Sequence, residues 1–141
     1  MKALIINGPN LNMLGKRNKD HYGSLTLDEI NKQIKDKFPK VSFEFFFSNI
    51  EGEIINKLQN SDEFTFLVIN PGGLSHYSVV LRDAFEDVKI LKGVCHLSDI
   101  YQRESFRKVD LLKDFADVYV VGLKEKSYFT CIENLISIID I

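Results

Sequence analysis

The chain is poor in cysteine and histidine, lacks tryptophan and is nearly balanced in charge. Its 141 residues include two cysteines, Cys95 and Cys131, and three histidines. Two cysteines can form neither a disulfide scaffold nor, by themselves, a tetrahedral zinc site, and both lie in apolar runs typical of buried free thiols. The formal net charge of −2 supplies no basic field for nucleic acid or an anionic membrane. We therefore expect no metal site, no nucleic-acid partner and no membrane partner.

Long apolar runs are also absent. The N-terminal run Ala3–Ile6 is shorter than the roughly 7–15 apolar residues of a signal peptide. No run approaches the ~18 residues of a membrane helix. The length suits about one domain and is too short for a (β/α)₈ barrel of about 250 residues. We expect a single domain over residues 1–141, located in the cytoplasm.

Short apolar runs alternate with helical stripes along the chain. Buried strands are predicted at residues 3–6, 64–69, 89–95 and 118–121, with an alternating strand, one face fully buried, at 41–47. Apolar residues at helical spacing predict helices at residues 26–38, 51–58, 80–88 and 128–139, the first of which begins with a capping box at Thr26. This alternation predicts an α/β three-layer sandwich, a five-stranded parallel sheet with helices on both faces. Because the second strand is typical of a sheet edge, the flavodoxin-like order 2-1-3-4-5 fits best.

Ligands of such sheets bind beyond the carboxyl ends of the strands, which here lead into loops starting at Asn7, Asn70 and His96. The first loop, predicted at residues 8–25, is rich in glycine and invites a phosphate-binding interpretation. A P-loop has four residues between its glycines and then Lys-Ser/Thr, whereas six separate Gly8 from Gly15 here. A flavodoxin-like module that binds a nucleotide or FMN remains the alternative function.

Arg17 and Tyr22 lie five residues apart in this loop. They could be a solvated arginine and a surface tyrosine. Alternatively, a guanidinium within about 4–6 Å favours the charged form of a phenol, so the pair is a chemically sensible general base.

Asn70, His76 and Asp83 follow the predicted central strand. His76 and Asp83 are seven residues apart, so a helix would place both on one face. Such a pair is often structural, but here it lies at the mouth of the predicted ligand site. Asn70 ends the strand, where an exposed amide could orient a hydroxylated ligand.

His96 follows the fourth predicted strand, at the same edge of the sheet. It could be an ordinary turn residue or an acid or base for catalysis. Arg103 and Arg107 come shortly after it, and one of them could hold a carboxylate by two hydrogen bonds. The Gly-x-Ser-x-Gly elbow of a serine hydrolase is absent.

Together these motifs resemble the type II 3-dehydroquinate dehydratase family over nearly the whole chain. The matching segments are Asn7-Gly-Pro-Asn-Leu-Asn, Gly15-x-Arg17, Tyr22-Gly, Ser48-Asn-x-Glu-Gly-Glu, Asn70-Pro-Gly, His76-x-Ser, Leu81-Arg-Asp83-Ala, His96-Leu-Ser and Arg103-Glu-x-Phe-Arg107. The resemblance implies a flavodoxin-like fold, a homododecamer built as a tetramer of trimers, and a step of the shikimate pathway. It also implies a lyase that uses no cofactor and forms no Schiff base.

The resemblance implies a role for each matching residue. Tyr22 matches the base that removes the proton α to the ketone of 3-dehydroquinate, and Arg17 matches the cation that assists it. Asn10 matches the amide that holds a water against the enolate oxygen, and His96 matches the acid that protonates the departing hydroxyl. The matching substrate-binding positions are Asn70, His76, Asp83, Leu97, Ser98 and Arg107, the last of which is expected to face the carboxylate.

Several positions depart from the usual family pattern. Val94 stands where a glutamate commonly orients and charges the histidine two residues later, Asp99 where asparagine is usual and Ile50 where histidine is usual. The lid between Arg17 and Tyr22 also differs. We expect altered kinetics rather than inactivity, although a catalytically weakened relative kept as an interaction scaffold is a further alternative.

A chain this short is a small platform for a closed acid–base site. We therefore expect a subunit contact to complete it, with Asp83 or a neighbour at, or donated across, a trimer interface. On the edge strand, Phe46 is a candidate for burial by another subunit.

Overall fold

The computed structural model describes residues 1–140, and its centre is a five-stranded parallel sheet of order β2-β1-β3-β4-β5. The strands are β1 (Lys2–Asn7), β2 (Ser42–Phe47), β3 (Phe66–Asn70), β4 (Leu91–His96) and β5 (Val118–Val121). The predicted fold class and strand order are confirmed. The third and fourth strands begin two residues later than predicted; before the third, Phe64 still belongs to a turn in which its N–H donates to the Ser61 carbonyl.

Helices cover both faces of the sheet. They are α1 (Lys19–Tyr22), α2 (Leu27–Lys37), α3 (Glu51–Gln59), α4 (Val79–Asp87) and α5 (Lys126–Ile139). Five short 3₁₀ segments connect the elements: Leu11–Met13, Gly72–His76, Ile100–Gln102, Ser105–Lys108 and Lys113–Phe115. Within residues 1–140, none of the helices has both the length and the apolar character that crossing a membrane requires.

Side-chain alternation along the strands produces two apolar layers. On one face, Ile5 and Val68 pack with buried residues of α2 and α5; on the other, Ile6 and Leu67 pack with those of α3 and α4. Full burial of one such side chain contributes about 1.5–3 kcal/mol, so both faces of the central strands stabilise the fold. Cys95 and Cys131 lie in the first layer, fully buried and not disulfide-bonded, and burial raises the pKa of the Cys131 thiol to about 12.

Side-chain caps define where two of the helices begin. The Thr26 hydroxyl accepts from the Glu29 N–H and the Glu29 carboxylate accepts from the Thr26 N–H, which confirms the predicted capping box of α2. The Ser78 hydroxyl accepts from the Leu81 N–H at the start of α4.

The position of Ser78 overturns one expectation. His76 belongs to the 3₁₀ segment Gly72–His76, two residues before the cap, so it does not share a helical face with Asp83. The predicted loop 8–25 is also less irregular than expected, since it contains a 3₁₀ turn and α1.

The edge strand β2 lies where the alternation predicted. Its residues from Phe43 to Phe47 are all partly buried, so the expected contrast between one fully buried face and one open face is wrong. Phe43 and Phe45 pack on the α2–α5 layer and Phe46 on the α3–α4 layer, because large aromatic side chains extend over both faces of the sheet.

The carboxyl ends of β1 and β3 are joined closely. Asn7 and Asn70 are register partners, and the Gly8 N–H donates to the Asn70 carbonyl over 2.8 Å. A Cβ at Gly8 would lie 2.5 Å from the Pro71 carbonyl oxygen, so only glycine permits this approach. The loops that follow the two strands are thereby held side by side.

Candidate active site

A cavity of about 150 Å³ lies beyond the carboxyl ends of β1, β3 and β4. It is lined by every site residue expected from the sequence except Asp83: Asn10, Arg17, Tyr22, Asn70, His76, His96, Leu97, Ser98 and Arg107. A larger cavity of about 550 Å³ lies between α2 and the end of β2, and none of those residues lines it. The chemistry-bearing side chains therefore identify the smaller cavity as the candidate active site.

Tyr22 is held between two guanidinium groups. Its hydroxyl oxygen accepts from Arg17 Nη2 at 2.9 Å and from Arg103 Nη1 at 2.7 Å. The guanidinium of Arg17 also lies 3.9 Å from the ring centroid. An oxygen that receives two positively charged donors in a largely buried site is well suited to carry negative charge.

The contact between Arg103 and Tyr22 was not predicted from the sequence. The two residues are 81 positions apart, and Arg103 comes from the segment that follows β4. Its Nη1 also donates to the Ser98 hydroxyl at 3.2 Å, while its Nε is buried without a hydrogen-bond partner among residues 1–140 and lies 3.9 Å from a Glu104 oxygen. The sequence indicated that Arg103 lies at the carboxyl edge of the sheet, but this position does not predict which side chain Arg103 contacts.

His96 is the last residue of β4 and is almost fully buried. Its Nε2 lies 2.8 Å from an oxygen of Asp110, whose side chain is completely buried. Burial opposes ionisation of Asp110. The hydrogen bond to His96 and the charge of His96 favour ionisation, as do hydrogen bonds from the Leu112 N–H and the Tyr119 hydroxyl. Together they hold the pKa of Asp110 below its usual value. Val94, two residues before His96, lies in the apolar α3–α4 layer.

His76 lies beside His96, with ring centroids 6.1 Å apart and planes inclined by 17°. Its Nδ1 lies 2.7 Å from the Val109 carbonyl oxygen, so Nδ1 carries the proton. Burial is the main cause that lowers the pKa of His76, the Val109 carbonyl opposes it, and the positive charges of His96 and Arg107 add to the lowering.

Asn70 is buried rather than exposed as expected. Its Nδ2 donates to the Tyr128 hydroxyl at 3.0 Å and its Oδ1 accepts from the Gly72 N–H at 3.2 Å. Tyr128 in turn donates to Asn7 Oδ1. The Asn70 amide is therefore a fixed part of the cavity wall.

Asn10 sits at the cavity in a left-handed conformation, with φ of 71°, which asparagine tolerates better than most residues. Its N–H donates to Asn49 Oδ1 at 2.9 Å, so the loop after β2 fixes the loop after β1. The amide side chain is on an exposed residue and is free to meet a ligand.

The remaining expected residues differ in how they meet the cavity. Arg107 lines it, and its Nε donates to Glu104 at 2.5 Å. Leu97 and Ser98 are buried at its wall. Asp83 lies on α4, half exposed and paired with Arg82 at 3.2 Å, outside the cavity of its own chain.

The cavity is rich in positive charge. Arg17, Arg103 and Arg107 line it, and among the described residues 1–140 no carboxylate side chain does, since Asp110 lies behind His96. Such a site suits a small anionic ligand, and tyrosine and histidine are side chain types that can act as a base and an acid. Within residues 1–140, no three His, Cys, Asp or Glu side chains come together in an arrangement that could hold a metal ion.

The sheet and cavity define a flavodoxin-like α/β protein with an arginine-rich cavity at the carboxyl edge of the sheet. The family model described as dehydroquinase class II matches residues 1–136, and the chain belongs to that family. A 3-dehydroquinate dehydratase of Thermotoga neapolitana is 46% identical over 135 residues, covering 94% of this chain and 92% of the relative. That of Chlorobaculum tepidum is 43% identical over 94% of this chain and 92% of the relative. The crystal structure of the type II dehydroquinase from Butyrivibrio crossotus matches with a TM-score of 0.92 at 37% identity, covering 96% of this chain and 97% of that one.

Proposed function

We propose that this protein is a hydro-lyase that converts 3-dehydroquinate to 3-dehydroshikimate, a step of the shikimate pathway that leads to aromatic amino acids. Family membership supports the reaction, and one observation carries the chemistry. The Tyr22 oxygen receives two guanidinium donors in the cavity that also contains His96. The site therefore combines a stabilised phenolate with an imidazole acid.

The elimination proceeds through an enolate. The Tyr22 phenolate takes the proton α to the ketone, and the electron pair of that C–H bond forms the enolate. His96 then gives a proton to the departing hydroxyl, the C–O bond breaks, and water leaves as the conjugated enone forms. Arg17 and Arg103 stabilise the charge on Tyr22, and Asn10 holds a water against the enolate oxygen. No Schiff base and no cofactor takes part.

Substrate recognition uses the rest of the cavity. Arg107 binds the carboxylate, since a guanidinium matches a carboxylate with two hydrogen bonds. His76, Asn70 and the Leu97–Ser98 segment contact the ring hydroxyls. The positions of these residues on the cavity wall support the assignments.

Assembly completes the site in this proposal. Asp83 lies outside the cavity of its own chain, and we propose that it reaches the substrate of a neighbouring subunit in a trimer. Four trimers would form a homododecamer in the cytoplasm. Residues 1–141 would form a single domain, because both apolar layers share one sheet.

The direct test is to add 3-dehydroquinate and follow the ultraviolet absorbance of the conjugated product. The wild-type protein should produce the signal, and Tyr22→Phe should abolish it without loss of fold. Tyr77→Phe is a matched control, because Tyr77 is 69% exposed and does not line the cavity. Absence of turnover by the folded oligomer would contradict the proposal, and stabilisation by FMN instead would favour a flavin-binding module.

A second measurement tests the mechanism. Borohydride added with the substrate should leave the activity intact, since no imine forms. Covalent trapping of substrate on a lysine would contradict the enolate route.

A further inference from the structure

His96 is held by a carboxylate from a distant irregular segment. Asp110 follows it by 14 residues, in the connection between β4 and β5, and its Oδ2 lies 2.8 Å from His96 Nε2. The side chains of His96 and Asp110 are 6% and 0% exposed. A buried pair of this kind is expensive unless its geometry is good and its remaining lone pairs are satisfied.

The remaining acceptor capacity of Asp110 is satisfied. Its Oδ1 accepts from the Leu112 N–H at 2.9 Å, and its Oδ2 accepts from the Tyr119 hydroxyl at 2.9 Å. The segment is fixed in turn by the Leu111 N–H, which donates to the Ser75 carbonyl at 2.8 Å. Asp110 is therefore an ionised group in a rigid frame rather than a loop side chain that happens to face inward.

Strand β4 itself brings no polar group to His96 from the position two residues earlier. Val94 shares the sheet face of His96 and is fully buried, and its register partner on β5 is Tyr119. Tyr119 does not contact the imidazole by a hydrogen bond but donates to Asp110 instead. The carboxylate is thus the polar link between the imidazole and the rest of the fold.

Contact with Asp110 determines which ring nitrogen faces the ligand. Nε2 is engaged, while Nδ1 has no hydrogen-bond partner within residues 1–140. When the ring is neutral, the proton on Nε2 is donated to the carboxylate. Nδ1 is then the nitrogen that gains and loses the second proton.

We propose that Asp110 is the positioning residue for His96: its carboxylate fixes the ring through Nε2, leaves Nδ1 for the substrate and stabilises the imidazolium. This inference rests on the proposed function. In the elimination, the Nδ1 proton moves to the hydroxyl oxygen as the C–O electron pair leaves with it as water. His96 is left neutral, with its remaining proton on Nε2 and hydrogen-bonded to Asp110. The same carboxylate–imidazole logic operates in catalytic triads, where the acid orients the ring and stabilises its charged form.

Apart from Tyr22, a phenolate in the proposed mechanism whose charge is paired with Arg17 and Arg103, the other groups around His96 favour the neutral ring or carry no negative charge. Within residues 1–140, Asp110 is the one carboxylate in contact with the imidazole. The other titratable or charged groups near it are His76, Tyr119, Arg103, Arg107 and Tyr22, from the turn after β3, from β5, from the segment after β4 and from α1. Removal of the Asp110 charge therefore leaves the imidazolium among cations.

Two substitutions shift the pH dependence of turnover in opposite directions. Asp110→Asn keeps the shape and an acceptor oxygen but removes the charge. Because a positioned acid contributes about 10²–10⁴-fold to rate, we expect kcat to fall roughly tenfold to a hundredfold. KM for 3-dehydroquinate should change by less than about twofold, because Asp110 does not line the cavity. The alkaline limb of the kcat profile should move down by about one pH unit.

Tyr119→Phe removes the competing donor to the same Asp110 oxygen. The carboxylate then interacts more strongly with His96, so the alkaline limb should move to higher pH. Asp117→Asn is the matched control, because Asp117 accepts from the Lys92 N–H near the opposite end of β4. It should leave both kcat and the profile unchanged.

The outcomes separate this inference from the proposed function. Wild-type protein without turnover removes the proposed function itself. Turnover by wild type together with an Asp110→Asn profile that does not move overturns the positioning role, even if kcat falls. If Asp110→Asn does not fold, Tyr119→Phe decides alone: an upward shift supports the role, and no shift or a downward one overturns it.

Discussion

At the scale of single residues, the two guanidinium groups on Tyr22 arrive by different routes. Arg17 comes from the loop before α1 and contacts both the hydroxyl and the ring face. Arg103 comes from the segment after β4 and bridges Tyr22 to Ser98. Arg103 therefore ties Tyr22 to the wall of the cavity, whereas Arg17 joins it to the loop before α1.

Substitution of Arg103 should have a large effect on turnover. Arg103→Gln removes a charged donor from the Tyr22 oxygen, and loss of one such donor typically lowers kcat by about 10²–10³-fold. Arg103→Lys keeps the charge but not the forked geometry, so its kcat should lie between that of the wild type and that of Arg103→Gln. Steady-state kinetics with 3-dehydroquinate measures both, and an unchanged kcat in Arg103→Gln would show that Arg17 suffices.

Two residues of the site should make the protein less stable in acid. Burial above all lowers the pKa of His76 in the fold, so the unfolded chain binds its proton first as the pH falls below about 6.5. Asp110 also has a lowered pKa, and its contribution is lost below about 3.8. The free energy of unfolding should therefore decrease in two stages on acidification, the first beginning below about pH 6.5 and the second below about pH 3.8.

Urea unfolding at a series of pH values measures this dependence. His76→Gln should flatten the first stage and leave the second. A stability curve that rises on acidification from pH 7 to pH 5 is the result at odds with a lowered His76 pKa.

Sequence alone could identify the residues of the site far better than their partners. The strand ends and loop motifs placed nine of the expected side chains on one cavity, because parallel strands bring their carboxyl ends together. The partners Arg103 and Asp110 lie on irregular segments with 3₁₀ turns, 81 and 14 residues from Tyr22 and His96. Neither periodicity nor spacing predicts contacts made by such segments.

At the scale of elements, the turn after β1 depends on Gly8. A methyl group there would meet the Pro71 carbonyl at 2.5 Å, and both neighbouring loops carry site residues. Gly8→Ala should destabilise the fold by about 1–3 kcal/mol and reduce turnover, because backbone has to move.

Gly52 provides the matched comparison. It lies in α3 with nothing within 4 Å of an added Cβ. Gly52→Ala should stabilise the protein by about 0.5–1 kcal/mol and leave turnover unchanged. Thermal unfolding and kinetics of the two variants test the contrast, and equal stabilities would contradict it.

The order of the elements could be predicted because many residues contribute to each apolar pattern. The start of α4 could not be predicted in this way. Val80, Leu81 and Ala84 indicate a helix, but periodicity cannot tell whether His76 belongs to its first turn. The Ser78 cap and the preceding 3₁₀ segment settle the boundary through hydrogen bonds that a pattern does not contain.

At the scale of the whole molecule, a set of apolar side chains near the cavity is exposed. Ile50, Val79, Val80 and Phe106 are each more than half exposed, and a Ser78–Glu51 hydrogen bond joins α3 to the start of α4 beside them. Exposed apolar side chains that form one continuous patch are typical of a surface that contacts another protein. The proposed trimer would cover it and bring Asp83 to a neighbour.

Val80→Lys should therefore reduce both assembly and turnover. A charge on this face has to be desolvated when subunits associate, which lowers the oligomer population. Ile138→Lys is the control, since Ile138 is also exposed but lies on α5, across the sheet. Light scattering and kinetics should change together in the first variant only; a Val80→Lys protein of wild-type mass would count against this interface.

The buried cysteines give the molecule its own reporter of global unfolding. Cys95 and Cys131 are fully buried, and burial raises the pKa of both thiols, so the thiolate that alkylating reagents need is scarce in the native state. With no tryptophan in the chain, intrinsic fluorescence follows unfolding poorly. The rate of alkylation, measured as added mass, would instead report how often the core opens and hence the lifetime of the native state.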